Sequence, residues 1–226
     1  MYPSIEKIWS DNTIIESSWW AEELQNLLLN LQNNTELLER IEGKQLFRYE
    51  HLLAPSAPSS IRVLDLGAGP ITTLGSVSRS HQIAIDAVDP LSQKYIEILD
   101  RCGIIPKWRV RYATAEHLDA IFGEDTFDFA QCRNALDHAI DPFRGIWQTI
   151  RVLKQGAAFF LHGSENEGVK QNYQGLHQWN FEVREQHFYL WRPGIEINVG
   201  EALKDVLKVE SAIGEGWYRI VLRKVG

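Results

Sequence analysis

The spacing of hydrophobic residues along this chain changes from a helical period to short alternating blocks near residue 60. In the stretch 17–38, Trp20, Leu24, Leu27, Leu28, Leu31 and Leu37 recur at helical intervals with Glu and Asn between them, which predicts an amphipathic helix. A further short helix is expected over 45–53. The breaker-rich run Ala54-Pro55-Ser56-Ala57-Pro58-Ser59-Ser60 then divides a helical N-terminal extension with its linker, residues 1–60, from a main domain, residues 61–226.

From Ile61 onward, short apolar runs alternate with helical patterns. Strands are expected at 61–66, 82–88, 108–113, 127–132 and 157–162. Helices are expected at 72–80, 91–101 and 142–153, with a helical turn at 118–122. Strand–helix alternation implies a parallel sheet with right-handed crossovers. After Gly163 the period is lost over 164–184. An extra strand at 185–191, a helix at 199–207 and two closing strands at 207–213 and 216–224 complete the reading. The predicted fold class is α/β: a doubly wound, mostly parallel seven-stranded sheet ending in an antiparallel hairpin, with a lid insertion around 164–192.

Composition narrows the function. The chain has 226 residues, 44% hydrophobic and 23% charged, which suits a domain with a real core. Its formal net charge of −7 disfavours a phosphate backbone as partner, and the basic run from Lys107 to Arg111 alternates with apolar residues like the solvated edge of a strand. Cys102 and Cys132 have no metal-ligand spacing, and no disulfide framework is expected. The opening MYPSIEKIWSDN lacks the features of a signal peptide, and no apolar run approaches the length of a membrane span. These features predict a cytoplasmic protein, a monomer or homodimer, with neither nucleic acid nor membrane as partner.

The sharpest motif is Val63-Leu64-Asp65-Leu66-Gly67-Ala68-Gly69-Pro70, an apolar strand running into a glycine turn. Gly67 and Gly69 permit a tight turn and close approach of a ligand to the backbone. The helix expected next would aim its N-terminal amides at the site. A dinucleotide fingerprint would place glycine at position 72, where Thr72 stands, and the Gly-Lys-Ser/Thr of a phosphate loop is absent. Asp89 ends the second strand 22 residues beyond Gly67, where an acidic side chain can accept ribose hydroxyls; alone, it could equally cap the helix that begins at Leu91. Ala113-Thr114-Ala115-Glu116-His117-Leu118 follows the third strand, and Phe127 to His138 carries the fourth strand to its end.

In order and spacing, these four motifs make residues 61–163 resemble a class I, Rossmann-like S-adenosylmethionine-dependent methyltransferase of the small-molecule type. The resemblance implies S-adenosyl-L-methionine as cofactor. Asp65, Gly67 and Gly69 would shape its methionine and ribose end, Asp89 would hold the ribose hydroxyls, and Pro90 would flank the adenine. Ala115 and Glu116 would follow the adenine edge, and Cys132 to Asn134 would lie beside the methyl sulfonium. The family's third glycine is replaced by Pro70-Ile71, which puts the local geometry in question.

Methyl transfer to a hydroxyl needs alignment, exclusion of water and a group to take the proton. His138, after the fourth strand, and His162, ending the fifth, are the candidate catalytic residues; each could instead be structural. His162 with Glu165 and Glu167 matches no rigid metal motif, and no metal is expected. His177, Trp179 and Asn180, in the tract Tyr173 to Phe181, are candidate contacts to a small-molecule acceptor, with the aromatic and amide character that suits a polyhydroxylated ligand. Trp19, Trp20 and Phe47-Arg48-Tyr49 either close the pocket or simply pack helices. The expected activity is O-methylation of a sugar-like or natural-product hydroxyl, ahead of N-methylation. An NAD-dependent oxidoreductase and a non-catalytic binding module are the alternatives.

Overall fold

A computed structural model describes residues 5–29 and 31–225. Helix α1 (Ile5–Leu29) and helix α2 (Thr35–Glu42) stand where a single helix over 17–38 was expected. The chain restarts at Asn34, whose side chain accepts from the Leu37 amide at 3.0 Å and caps α2. Leu27 and Leu28 of the expected apolar stripe lie outside the residues whose side chains are described. Most of 45–53 is not helical either. Leu46 bridges to Val77, and only Glu50–Leu52 forms a 3-10 turn.

The strands are β1 (Ser60–Leu66), β2 (Gln82–Val88), β3 (Phe127–Arg133), β4 (Leu153–Ser164), β5 (Asn180–Arg184), β6 (His187–Arg192), β7 (Ile195–Asn198), β8 (Leu207–Ile213) and β9 (Trp217–Lys224). Six of them form the central sheet in the order β2-β1-β3-β4-β9-β8. β1 to β4 pair in parallel, and β9 returns antiparallel between β4 and β8. Arg111 takes a seventh position beside β2 through a single parallel bridge to Val88; the rest of 108–113 does not form a ladder. The fold is therefore the expected α/β sheet with a terminal antiparallel hairpin.

Alternation along β1 divides the core in two. Leu64 and Leu66 face Ile146 and Ile150 of α4 (Pro142–Val152); Ile61 and Val63 face Tyr95 of α3 (Ser92–Arg101) and Phe47 of the N-terminal region. Residues 127–132 of β3 are buried throughout, as expected of a parallel strand covered on both faces. The chain ends of β1, β2 and β3 lie together at one edge of this sheet.

Two expectations fail beside that edge. Residues 72–80 form no helix, so no helix N-terminus points at the glycine turn. Thr72, Thr73, Gly75, Ser76, Val77 and Ser78 are poor helix formers, and the N-terminal region offers this segment better partners. The Ser76 and Val77 amides both donate to the Gln45 carbonyl at 3.0 Å, and the Phe47 amide donates to Val77 at 2.9 Å. Arg40 Nε donates to the Thr72 carbonyl at 3.0 Å, and its Nη2 to that of Ile71. The span 164–184, read as aperiodic, contains α5 (Glu167–Lys170) and β5; the strand expected at 185–191 is β6, and with β7 these strands form an antiparallel sheet, followed by the short α6 (Val199–Ala202).

Arg40 therefore anchors the crossover after β1. Arg40→Ala should lower stability by about 1.5–3 kcal/mol, the range for hydrogen bonds made by a charged group. Urea unfolding with an unchanged slope, and faster hydrogen exchange at Val77, would register the loss. An unmoved midpoint would show that the crossover holds itself.

Candidate active site

The turn after β1 is shaped by backbone constraints. Gly67 and Gly69 have φ of +67° and +64°. A Cβ on Gly67 would stand 2.4 Å from that of Ala135, so the ends of β1 and β3 approach as closely as two backbones can. The Gly67 and Ala68 amides donate to the Val88 carbonyl at 2.9 and 3.0 Å. The Gly69 amide donates to Asp89 Oδ2 at 3.0 Å, and the Leu91 amide to Asp89 Oδ1 at 2.8 Å. Asp89 thus closes a turn ahead of α3, whose N-cap is Leu91 with no side-chain cap, and also reaches the glycine turn. Burial pushes its carboxyl up to about 6 against those two hydrogen bonds.

Asp65 faces the same space from β1. Thr72 Oγ1 donates to its Oδ2, and Gln131 Nε2 to its Oδ1 at 3.1 Å. Burial raises its carboxyl despite these bonds and the nearby Arg40 charge. Gln131 and Arg40 were not singled out in the sequence, and Thr72 was noted there only as the residue that replaces a dinucleotide site's glycine.

These elements open onto a cavity of about 1460 Å³. Asp65, Gly67, Gly69, Asp89, Pro90, Ala115, Glu116 and Asn134, the eight residues assigned to the cofactor, all line it. Glu116 Oε1 accepts from the Asp141 amide at 3.1 Å, ahead of α4, and Asn134 Oδ1 accepts from the Ser164 amide at 2.8 Å. Helix α1 crosses the opening, where Trp19 and Trp20 line the cavity. Trp20 meets Tyr95 edge-on at 5.9 Å and lies against the bare face of Gly69. Phe47 and Tyr49 instead pack on Phe129.

At the end of β3 a second group of residues faces the cavity. His138 and His177 line it, and their rings meet edge-on at 4.4 Å. His177 Nδ1 lies 2.8 Å from Asp137 Oδ2 and 3.1 Å from His138 Nε2. Burial alone would raise the Asp137 carboxyl, but His138 and His177 outweigh it and hold the group below the usual range. Burial alone would lower His177; the Asp137 hydrogen bond and charge outweigh it and raise the ring. Asp89 and His138 line the same cavity.

The other candidates lie elsewhere. His162 is stacked on Phe160 at 4.7 Å, with Nε2 buried and without a hydrogen-bond partner, and is not among the residues lining the cavity. Burial, with Arg133 nearby, lowers it to about 4. It shares the face of Phe160, which packs on Tyr49, and its ring lies 6.4 Å from Trp217 at the cavity's margin. Glu165 accepts from the Gly216 and Val183 amides and does not join it. Trp179 is buried beneath the Arg192 guanidinium, 5.2 Å from its ring. Asn180 is fully buried, accepting from the Val169 amide at 2.9 Å and donating to Tyr173 Oη at 3.1 Å. Asn180 and Gln178, which donates to the carbonyls of Tyr173 and Gly175, fold the segment that presents His177.

A family model described as a methyltransferase domain matches residues 37–194, well over half of the chain. The chain belongs to this methyltransferase family. The matched span begins in α2 and ends at residue 194, between β6 and β7. The family's methyl donor is S-adenosyl-L-methionine; in this chain the glycine turn and the Asp89 carboxylate border one open cavity. Among curated relatives, the chain is 29% identical to a demethylmenaquinone methyltransferase of Clavibacter sepedonicus over 131 residues, 57% of this chain and 51% of the relative. It is 34% identical to the uncharacterized methyltransferase YcgJ of Bacillus subtilis over 102 residues, 44% of this chain and 39% of that one. The methyltransferase therefore spans about half, or less, of these relatives' length. The putative methyltransferase of Haloferax volcanii, solved with the Trm112 methyltransferase activator, has the same fold at a TM-score of 0.57 and 14% identity, covering 93% of this chain and 98% of that one. Among the described residues, no helix is long and apolar enough to cross a membrane.

The position of His162 carries a stability consequence. Its folded value of about 4 lies below the ordinary 6.5, so between these values the unfolded chain binds a proton that the native chain does not. Stability is full above the ordinary value and is lost as pH falls toward the folded one. The melting temperature of the wild type should drop by several degrees more than that of His162→Gln between pH 7.5 and pH 5. Parallel pH profiles would show that His162 charges freely.

Proposed function

We propose that this methyltransferase transfers a methyl group from S-adenosyl-L-methionine to a hydroxyl of a small natural-product-like molecule. The observation that carries the reading is the Asp137–His138–His177 group facing the same cavity as the Asp89–Gly69 cradle. S-adenosyl-L-methionine, when bound, supplies an activated methyl group on a sulfonium.

Asp89 retains acceptor capacity after its two amide bonds and suits a pair of ribose hydroxyls. The Gly67, Ala68 and Gly69 amides are all engaged within the protein, which leaves none of them for a diphosphate and disfavours a nicotinamide dinucleotide. Pro90, Ala115 and Glu116 border the flat part of the ligand, and Asn134 and Asp65 border its methionine end. The walls near α1 suit an acceptor with an apolar body, since Trp9, Ile15, Trp19, Trp20 and Leu24 all contribute. An apolar scaffold bearing a hydroxyl fits better than a bare sugar, because Trp179 and Asn180 do not line the cavity.

His138 is the proposed proton acceptor for that hydroxyl in the metal-free chain, with His177 and Asp137 setting its orientation. His138→Ala and His177→Ala should each lower kcat by about 10²–10⁴-fold, the usual contribution of a positioned base. S-adenosyl-L-methionine affinity should stay within about twofold. Transfer of a labelled methyl group to a panel of phenols, alcohols, amines and demethylmenaquinone supplies the assay. Transfer to amines alone, or full turnover by both variants with a hydroxyl acceptor, would refute the reading.

A further inference from the structure

One ligand atom each from Asp137, His138 and His177 converges just beyond the end of β3. His177 Nδ1 lies 2.8 Å from Asp137 Oδ2 and 3.1 Å from His138 Nε2, and His138 Nε2 lies 3.5 Å from Asp137 Oδ2. One N–H on His177 can satisfy the carboxylate or the facing imidazole, and it cannot be aimed squarely at both. What remains is a triangle of electron-rich atoms pointing at a common centre.

We propose that Asp137, His138 and His177 form a binding site for a divalent transition-metal ion, of the zinc or iron(II) kind. Such an ion lies about 2.0–2.2 Å from nitrogen and oxygen ligands, which places neighbouring ligand atoms about 2.8–3.1 Å apart in octahedral and about 3.3–3.6 Å apart in tetrahedral coordination. The three observed separations of 2.8, 3.1 and 3.5 Å fall in those ranges. Two imidazoles and one carboxylate select transition metals over magnesium or calcium, which favour all-oxygen shells. The ligands occupy one side of the centre, and both imidazoles face the cavity, so further coordination positions open toward it. Glu167 Oε2, 3.9 Å from His177 Nδ1, places a second carboxylate at the edge of the group.

Local structure holds the ligands in place. Asp137 and His138 are adjacent in the 3-10 turn Leu136–His138, directly after β3. His177 comes from the segment folded by Gln178 and Asn180. The separation of 40 residues explains why sequence spacing predicted no metal site. An ion here would join the end of the sheet to the lid and contribute binding energy to the folded state only.

The inference goes beyond the proposed reaction and does not depend on it, since binding is read without donor or acceptor. Chelator-treated full-length protein is titrated with Zn²⁺ by calorimetry and with Co²⁺ by visible absorption. One ion per chain should bind at micromolar concentration or tighter, with d–d bands for Co²⁺ and a raised melting temperature. Millimolar Mg²⁺ should not displace it. His138→Ala, His177→Ala and the near-isosteric Asp137→Asn should each weaken binding by at least about tenfold, while His187→Ala, at an exposed position, should not. Retained S-adenosyl-L-methionine affinity in these variants confirms that they fold. Absence of binding, or binding that survives both histidine substitutions, would overturn the site and leave a hydrogen-bonded relay. A chain that binds the ion but methylates no hydroxyl would refute the proposed reaction and not this site.

Discussion

Asp89 holds the amides of Gly69 and Leu91 with its two oxygens, and this link joins the turn after β1 to the start of α3. A carboxylate taken out of water is costly, which is why its proton affinity rises to about 6. Two backbone donors offset part of that cost, and hydroxyl donors from a ligand would offset more. The same residue therefore sets the shape of the loop and leaves acceptor capacity at the cavity wall. Gly67 has no room for a Cβ beside Ala135, and Trp20 lies against Gly69, so both glycines are held by the protein's own packing.

The N-terminal region is part of this arrangement. Arg40 and the carbonyl of Gln45 hold the segment after the glycine turn, where a crossover helix was expected. Without that helix, the site lacks a dipole and a set of free amides for phosphate. The loss suits a donor that carries no phosphate and a positive sulfonium. Trp20 of α1 covers the turn from outside, so the extension both supports the cradle from beneath and borders its opening.

Legibility followed the physics of each segment. β1 and β2 were visible as short apolar runs that alternate at their starts and are mostly buried toward their ends, and the closing hairpin was visible through its alternation. The glycine turn and Asp89 were visible because backbone geometry restricts residue type there. The segment 72–80 was misread because its fate depends on distant partners at Arg40 and Gln45, which outweigh weak local preference. The lid sheet was hidden because its strands are short and mix aromatic with charged residues. Trp179 and Asn180 have the chemistry of a binding surface, yet they are buried, whereas His177, with Gln174 and Leu176, lines the cavity. Its pairing with Asp137 joins elements too far apart in sequence for any spacing rule.

The central claim is that the Asp89 carboxylate and the glycine turn together bind an adenosyl group. Calorimetric titration of S-adenosyl-L-methionine into wild type and Asp89→Ala tests it most directly, with far-ultraviolet circular dichroism to confirm folding. The account predicts saturable binding to the wild type and a loss of more than about tenfold in the variant, equivalent to at least about 1.4 kcal/mol. Equal affinity in the two proteins, with both folded, would contradict it.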